Sequence, residues 1–164
     1  MFGYVRQNGI KVYRPQSQSR FLFGGSFKDY YCFGQEQLPA TGDTLFITGG
    51  EKDVLSLAAH GFPAICFGSE TVRIPHRLIK ELSQRFQNII LLYDMDATGK
   101  KQAIALQQEL AEYNVSRIEL PLAGTKQEKD ISDYFRLGHT ATEFRRLMPR
   151  PEVRQYIQHK NGQT

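Results

Sequence analysis

Ile89-Ile90-Leu91-Leu92-Tyr93-Asp94-Met95-Asp96-Ala97-Thr98-Gly99-Lys100 is the stretch that decides the fold. Four aliphatic residues in succession read as a strand buried on both faces; two carboxylates end it, and a helix opens at Ala97. Outward from this segment the same texture repeats. Thr44 to Thr48, Ala64 to Phe67 and Arg117 to Leu120 predict further strands. Between them lie apolar stripes at helical spacing: Val54, Leu55, Leu57 and Ala58; then Leu78, Ile79, Leu82 and Phe86; then Ala103, Leu106, Leu110 and Tyr113. The alternation β-α-β-α-β-α-β predicts an α/β fold, a mostly parallel four-stranded sheet flanked by helices.

This unit spans residues 44–138 and closes with a short helix from Ile131 to Leu137. Residues 1–43 carry short extended pieces, Ile10 to Tyr13, Arg20 to Phe23 and Tyr30 to Phe33, between turn signals. They predict a small β-rich lead-in, too small to fold alone. Residues 139–164 read as two basic helices, near Ala141 to Met148 and Pro151 to His159, parted by Pro149 and Pro151.

Composition bounds the function. With 164 residues, 40% hydrophobic and 23% charged, the chain has ordinary globular content, which excludes disordered, fibrous and membrane classes. No apolar run approaches the roughly 20 residues that span a bilayer, and the opening residues resemble neither a signal nor a transit peptide, so a cytoplasmic location is expected. Cys32 and Cys66 stand far apart in apolar surroundings and read as buried thiols; no zinc-ribbon spacing occurs. The formal charge is +4, with Arg6, Lys11, Arg14, Arg20 and Lys28 near the start and Arg145, Arg146, Arg150, Arg154 and Lys160 near the end. Both ends are candidate phosphate-contacting surfaces, and with Tyr30, Tyr31 and Phe33 interleaved they suit single-stranded DNA.

Three motifs carry chemistry. Asp94 and Asp96 sit at the carboxyl end of a strand, where open parallel sheets bind ligands, and residues two apart in extended chain approach one ion together. One or two carboxylates suit magnesium, which keeps waters and accepts phosphate oxygens. The alternative for Asp96 is a cap on the following helix. Lys100 and Lys101 in the first helical turn oppose the macrodipole and favour a nearby anion. Ala97-Thr98-Gly99-Lys100 lacks the first glycine of a phosphate-binding P-loop, which excludes that motif. The second motif, Thr48-Gly49-Gly50-Glu51-Lys52-Asp53, also ends a strand and opens a helix, with Glu51 and Asp53 suited to capping and the dipole. The third, Lys129-Asp130-Ile131-Ser132-Asp133-Tyr134-Phe135, returns to the same edge after the fourth strand, with Asp130 a candidate N-cap.

G-E-K-D after the first strand, D-M-D-A-T-G-K after the third and K-D-I-S-D-Y-F after the fourth resemble the motifs of a Toprim domain, in order, over about Thr44 to Leu137. They are similar to those of phage primase-helicases and bacterial replicative primases, and Tyr31-Cys32-Phe33-Gly34 resembles the β-rich lead-in of primases. The resemblance implies a DNA-templated nucleotidyltransferase making RNA primers with Mg2+ or Mn2+. It implies that Asp94 and Asp96 are metal ligands, that Lys129 and Asp130 edge the site, and that Lys52, Lys100, Lys101 and Lys129 face nucleic acid. Single-stranded DNA, nucleotides, and a helicase or the rest of a larger replication protein of a phage or mobile element are the implied partners.

The family pattern places its essential glutamate directly before the glycine of the first motif, and that position is Gly49 here. The sequence therefore predicts a relocated carboxylate on the same rim, Glu51 in preference to Glu70, with Asp130 as a third candidate for the catalytic and metal set. Gly49 also supports an alternative, a non-catalytic Toprim relic that binds metal and nucleic acid only. A second alternative is a haloacid-dehalogenase-type phosphatase with Asp94 as nucleophile.

Overall fold

The computed structural model describes residues 1–26 and 30–149. Strands β1 (Phe2–Arg6), β2 (Gly9–Tyr13) and β3 (Phe21–Gly25) form an antiparallel sheet in that order. The body follows as β4 (Cys32–Phe33), β5 (Gly42–Thr48), α1 (Glu51–Ala59), β6 (Ala64–Phe67), α2 (His76–Arg85), β7 (Phe86–Leu92), α3 (Ala97–Glu109), β8 (Val115–Arg117), α4 (Ile131–Arg136) and α5 (Ala141–Leu147). The main sheet runs β4-β6-β5-β7-β8, parallel throughout except for β4.

The apolar runs explain the layers. Along a strand successive side chains point to opposite faces, so a continuous run needs cover on both. Leu45, Ile47, Ile89 and Leu91 pack with Leu78, Ile79 and Leu82 of α2 and with Ala103 and Leu106 of α3. Phe46, Ile90 and Leu92 pack on the other face with Leu57 of α1, Ile131 and Tyr134 of α4 and Phe144 of α5. Removing one of these fully buried aliphatics, as in Leu91→Ala, costs about 2–5 kcal/mol.

Three details depart from the sequence expectation. The sheet has five strands, because Cys32–Phe33 from the lead-in pairs antiparallel with β6. Phe86 belongs to β7 and not to the second helical stripe; α2 ends at Arg85 and the strand begins with no loop between. The last strand lies at Val115–Arg117, earlier than Arg117 to Leu120, because the chain leaves the ladder after Ile118 N–H reaches Leu91 O at 3.2 Å. The second basic helix with Arg154, and also Lys28, Arg150 and Lys160, lie outside the described residues.

The small sheet docks on the body through a buried lysine. Lys11 is 2% exposed; its Nζ donates to Glu51 Oε1 at 2.7 Å and to the Gly68 carbonyl at 3.0 Å, and lies 4.5 Å from the Phe21 ring centre. Tyr31 donates to the same Glu51 oxygen at 2.8 Å. Tyr4 against Phe33 and Phe23 against Tyr31 complete the joint as edge-on ring pairs. Cys32 and Cys66 are buried free thiols. Among the described residues no helix is long and apolar enough to cross a membrane.

Candidate metal and phosphate site

The connection from β5 leads to β6 on one side, whereas that from β7 leads to β8 on the other. The carboxyl ends of β5 and β7 therefore flank a topological switch point, the crevice where open α/β sheets take ligands. Asp53, in the first turn of α1, comes from the β5 side and Asp94 from the end of β7. Asp130, the N-cap of α4, closes the third side. One carboxylate oxygen from each of Asp53, Asp94 and Asp130 lies within 4.8 Å of the others.

Local chemistry fixes each acid. Asp130 accepts from Asp133 N–H at 2.8 Å, a side-chain cap that starts α4. Ser132 Oγ donates to Asp53 at 2.7 Å. The loop after β8 is drawn to the rim because Met95 N–H donates to the Lys129 carbonyl at 2.6 Å. That bond delivers the Lys129 ammonium to Asp94, which it pairs, and to within 3.4 Å of Asp96. Lys52 Nζ pairs Asp130 at 2.7 Å. Gly99 is required by close approach, since a Cβ there would lie 2.2 Å from the Asp94 carbonyl oxygen.

Crowded, partly desolvated acids hold protons more tightly. Burial, and then the neighbouring Asp130 charge, push Asp53 up to about 7. Burial likewise raises Asp94 against the opposing pull of Lys129. Glu70 is pushed up to about 7 by burial, although it accepts from Asp94 N–H at 2.9 Å. Asp96 moves the other way, held down first by the Gly99 amide. Burial works against the charge of Lys129, but its carboxylate partners outweigh it and raise the ammonium.

The structure thus brings together Asp94 and Asp130 from the sequence-derived set, and adds Asp53, which the sequence suggested as a helix cap and dipole partner. Glu51 does not join them. Its carboxylate is buried between Lys11 and Tyr31, because the first turn of α1 points it toward the small sheet while Asp53 faces the rim. Asp96 caps α3 by accepting from Gly99 N–H at 2.9 Å and stands beside the triad, outside it. Glu70 lies at the triad's edge, on the Asp94 amide. Lys100 pairs Glu119 at 3.3 Å, and Lys101 is exposed on α3. Lys11, Tyr31 and Phe33, read from sequence as nucleic-acid contacts, are committed to the joint between the sheets. The donor set is all oxygen, two of the three acids are buried, and two lysines offset only part of their charge; a hard divalent ion such as Mg2+ or Mn2+ fits these residues.

A Toprim-like family model matches residues 46–135, and the chain belongs to that family. The match displaces the phosphatase alternative. No curated protein matches the chain by sequence. Among solved structures, the primase fragment of the bacteriophage T7 primase-helicase protein is similar at TM-score 0.60 and 24% identity, covering 90% of this chain and 60% of that one. The E. coli primase catalytic core is similar at TM-score 0.63 and 20% identity, covering 85% and 47%. A DnaG primase catalytic domain bound to ssDNA is similar at TM-score 0.63 and 20% identity, covering 84% and 46%. At these identities the likeness is one of fold, and the chain spans about half the length of the bacterial relatives.

Proposed function

We propose that this chain is the metal-binding module of a primase-like nucleotidyltransferase acting on single-stranded DNA. The observation that carries this is the convergence of Asp53, Asp94 and Asp130 within 4.8 Å at the switch point of the sheet. These three residues would hold Mg2+ or Mn2+, which supplies charge neutralisation for phosphate oxygens. Lys52, exposed, and Lys129, half-buried, sit on the same rim; they offset part of the acids' charge and present positive charge to a polyphosphate. The small sheet supplies a stacking surface: Phe2, Tyr13 and Phe21 line up across three strands with ring centres 6.3 and 5.2 Å apart, and Phe2 and Phe21 are 57% and 45% exposed. Stacked aromatics flanked in sequence by Arg14 and Arg20 suit unpaired bases and their phosphates. That a DnaG domain of similar fold is bound to ssDNA supports the same class of partner.

Manganese titration of the parent chain tests the reading. Asp53→Asn, Asp94→Asn and Asp130→Asn should each weaken binding at least tenfold, about 1.4 kcal/mol; unchanged affinity in all three places the ion elsewhere. Binding to single-stranded DNA should weaken steeply with salt. Gly49 favours a second reading, metal and DNA binding without synthesis. Nucleotide incorporation on a single-stranded template, by this chain and within the longer protein, separates the two.

A further inference from the structure

Position 49 is free of a side chain for a reason outside its own backbone. Gly49 is not among the glycines with positive φ, so the chain there accommodates an L residue. What fills the space is Glu70: a Cβ on Gly49 would lie 2.6 Å from Glu70 Oε1, 2.9 Å from its Cγ and 3.1 Å from its Cδ. Glu70 arrives from the end of β6 through Gly68 and Ser69 and is anchored by the Asp94 amide at 2.9 Å. Its carboxylate thus spans from the end of β5 to the end of β7, across the switch point. A side chain at 49 and Glu70 in this position exclude each other.

We infer that Glu70 is the fourth carboxylate of the site, delivered from the β6 loop into the space that a glutamate at position 49 would occupy. The inference rests on the proposed metal-binding reading and adds to it the residue that completes the acid set. An amide cap alone would be served by a neutral glutamine or serine. A half-buried carboxylate on the Asp94 amide adds like charge at the edge of the Asp53-Asp94-Asp130 group, a cost that a bound cation removes. Glycine at 49 and glutamate at 70 are then one device, and the chain retains a carboxylate at that corner of the rim with a different strand supplying it.

Manganese affinity, measured by calorimetry and by the loss of the free-ion paramagnetic signal, tests this with four variants. Glu70→Gln keeps the cap and removes the charge, and should weaken binding at least fivefold without lowering the melting temperature of the metal-free protein. Gly49→Ala adds only a methyl group and should weaken binding to a similar extent by displacing Glu70. Glu70→Ala should lose the same affinity, and Gly49→Glu combined with Glu70→Ala should recover it to within about twofold of the parent. Parent-like affinity in Glu70→Gln, or a double variant no better than Glu70→Ala, overturns the inference; if Glu70→Ala fails to fold, Glu70→Gln and Gly49→Ala decide it. Loss of binding in Asp94→Asn with retention in Glu70→Gln removes Glu70 and leaves the metal site standing. Retention in Asp53→Asn and Asp94→Asn alike removes both.

Discussion

Two carboxylate-lysine clusters grow from the same turn of α1 and are built for opposite purposes. Glu51 turns toward the small sheet and accepts from Lys11 and Tyr31 in a closed joint, where Lys11 also donates to the Gly68 carbonyl and its side chain is 2% exposed. Asp53 turns toward the rim and meets two further aspartates, with Lys52 and Lys129 alongside at 59% and 31% side-chain exposure. In the joint one negative charge meets one positive charge, and Lys11 and Tyr31 both donate to Glu51 Oε1. On the rim the acids outnumber the lysines and the lysines reach solvent. A balanced, sealed pair holds two parts of a protein together; an open cluster with surplus negative charge is poised to take a cation.

The sharpest way to break this comparison is to remove one cation from each cluster. Lys11→Met leaves Glu51 buried without its ion pair and should destabilise the protein by about 3–5 kcal/mol in denaturant unfolding. Pairing it with Glu51→Leu should recover most of that loss, since an apolar replacement of both partners is close to neutral. Lys52→Met removes a lysine that is itself exposed although its partner Asp130 is buried, and should cost less than Lys11→Met, about 1 kcal/mol. Equal losses in the two single variants would mean the clusters do not differ in kind.

Removing an acid should sharpen the contrast by reversing its sign. Asp53→Asn relieves repulsion from Asp130 and Asp94 and keeps an acceptor for Ser132, so the metal-free protein should melt higher at pH 8 while manganese binding is lost. Glu51→Gln should melt lower and leave manganese affinity within about twofold.

The rim also sets a pH dependence. Asp53 and Glu70 are both pushed up to about 7, against ordinary carboxylate values near 4, so each binds its proton more tightly folded than unfolded. Between about pH 4 and pH 7 the unfolded chain has released these protons and the folded one has not, and metal-free stability falls as pH rises through that window. A metal ion competes with the same protons, so manganese affinity should rise across it. Melting curves at several pH values, with and without manganese, check both slopes; a metal-free protein that gains stability from pH 5 to pH 7 refutes the assignment.

Much of this was legible in the sequence, and the remainder was hidden for physical reasons. Thr44 to Thr48 and Ile89 to Leu92 announced central strands because burial on both faces demands unbroken apolar runs. Cys32–Phe33 is two residues long, and so short a strand exists only because the β6 edge is there to pair with it. Phe86 fitted a helical stripe because α2 and β7 abut without turn residues. The rim position of Asp94 followed from its strand end. Choosing between Glu51 and Asp53 required the rotation of α1, where residues two apart differ by roughly 200° about the axis. Lys11 read as one of the basic residues of a phosphate-contacting surface, since its partner lies 40 positions away, in a helix of the body.

Asp96 gives the smallest expected effect and the finest distinction. The sequence allowed it two roles, metal ligand or helix cap, and the first is what the family resemblance implied. In the structure its Oδ1 accepts from Gly99 N–H, it lies outside the Asp53-Asp94-Asp130 group, and its pairing with Lys129 is long at 3.4 Å. A cap is worth about 1 kcal/mol and can be supplied by serine, whereas a carboxylate ligand cannot. Asp96→Ala should therefore lower stability by about 1 kcal/mol, and Asp96→Ser should return it to within about 0.5 kcal/mol of the parent. Manganese affinity should stay within about twofold in both. A tenfold loss of affinity in Asp96→Ser, with its stability intact, would instead draw Asp96 into the metal site through Lys129, whose ammonium it shares with Asp94.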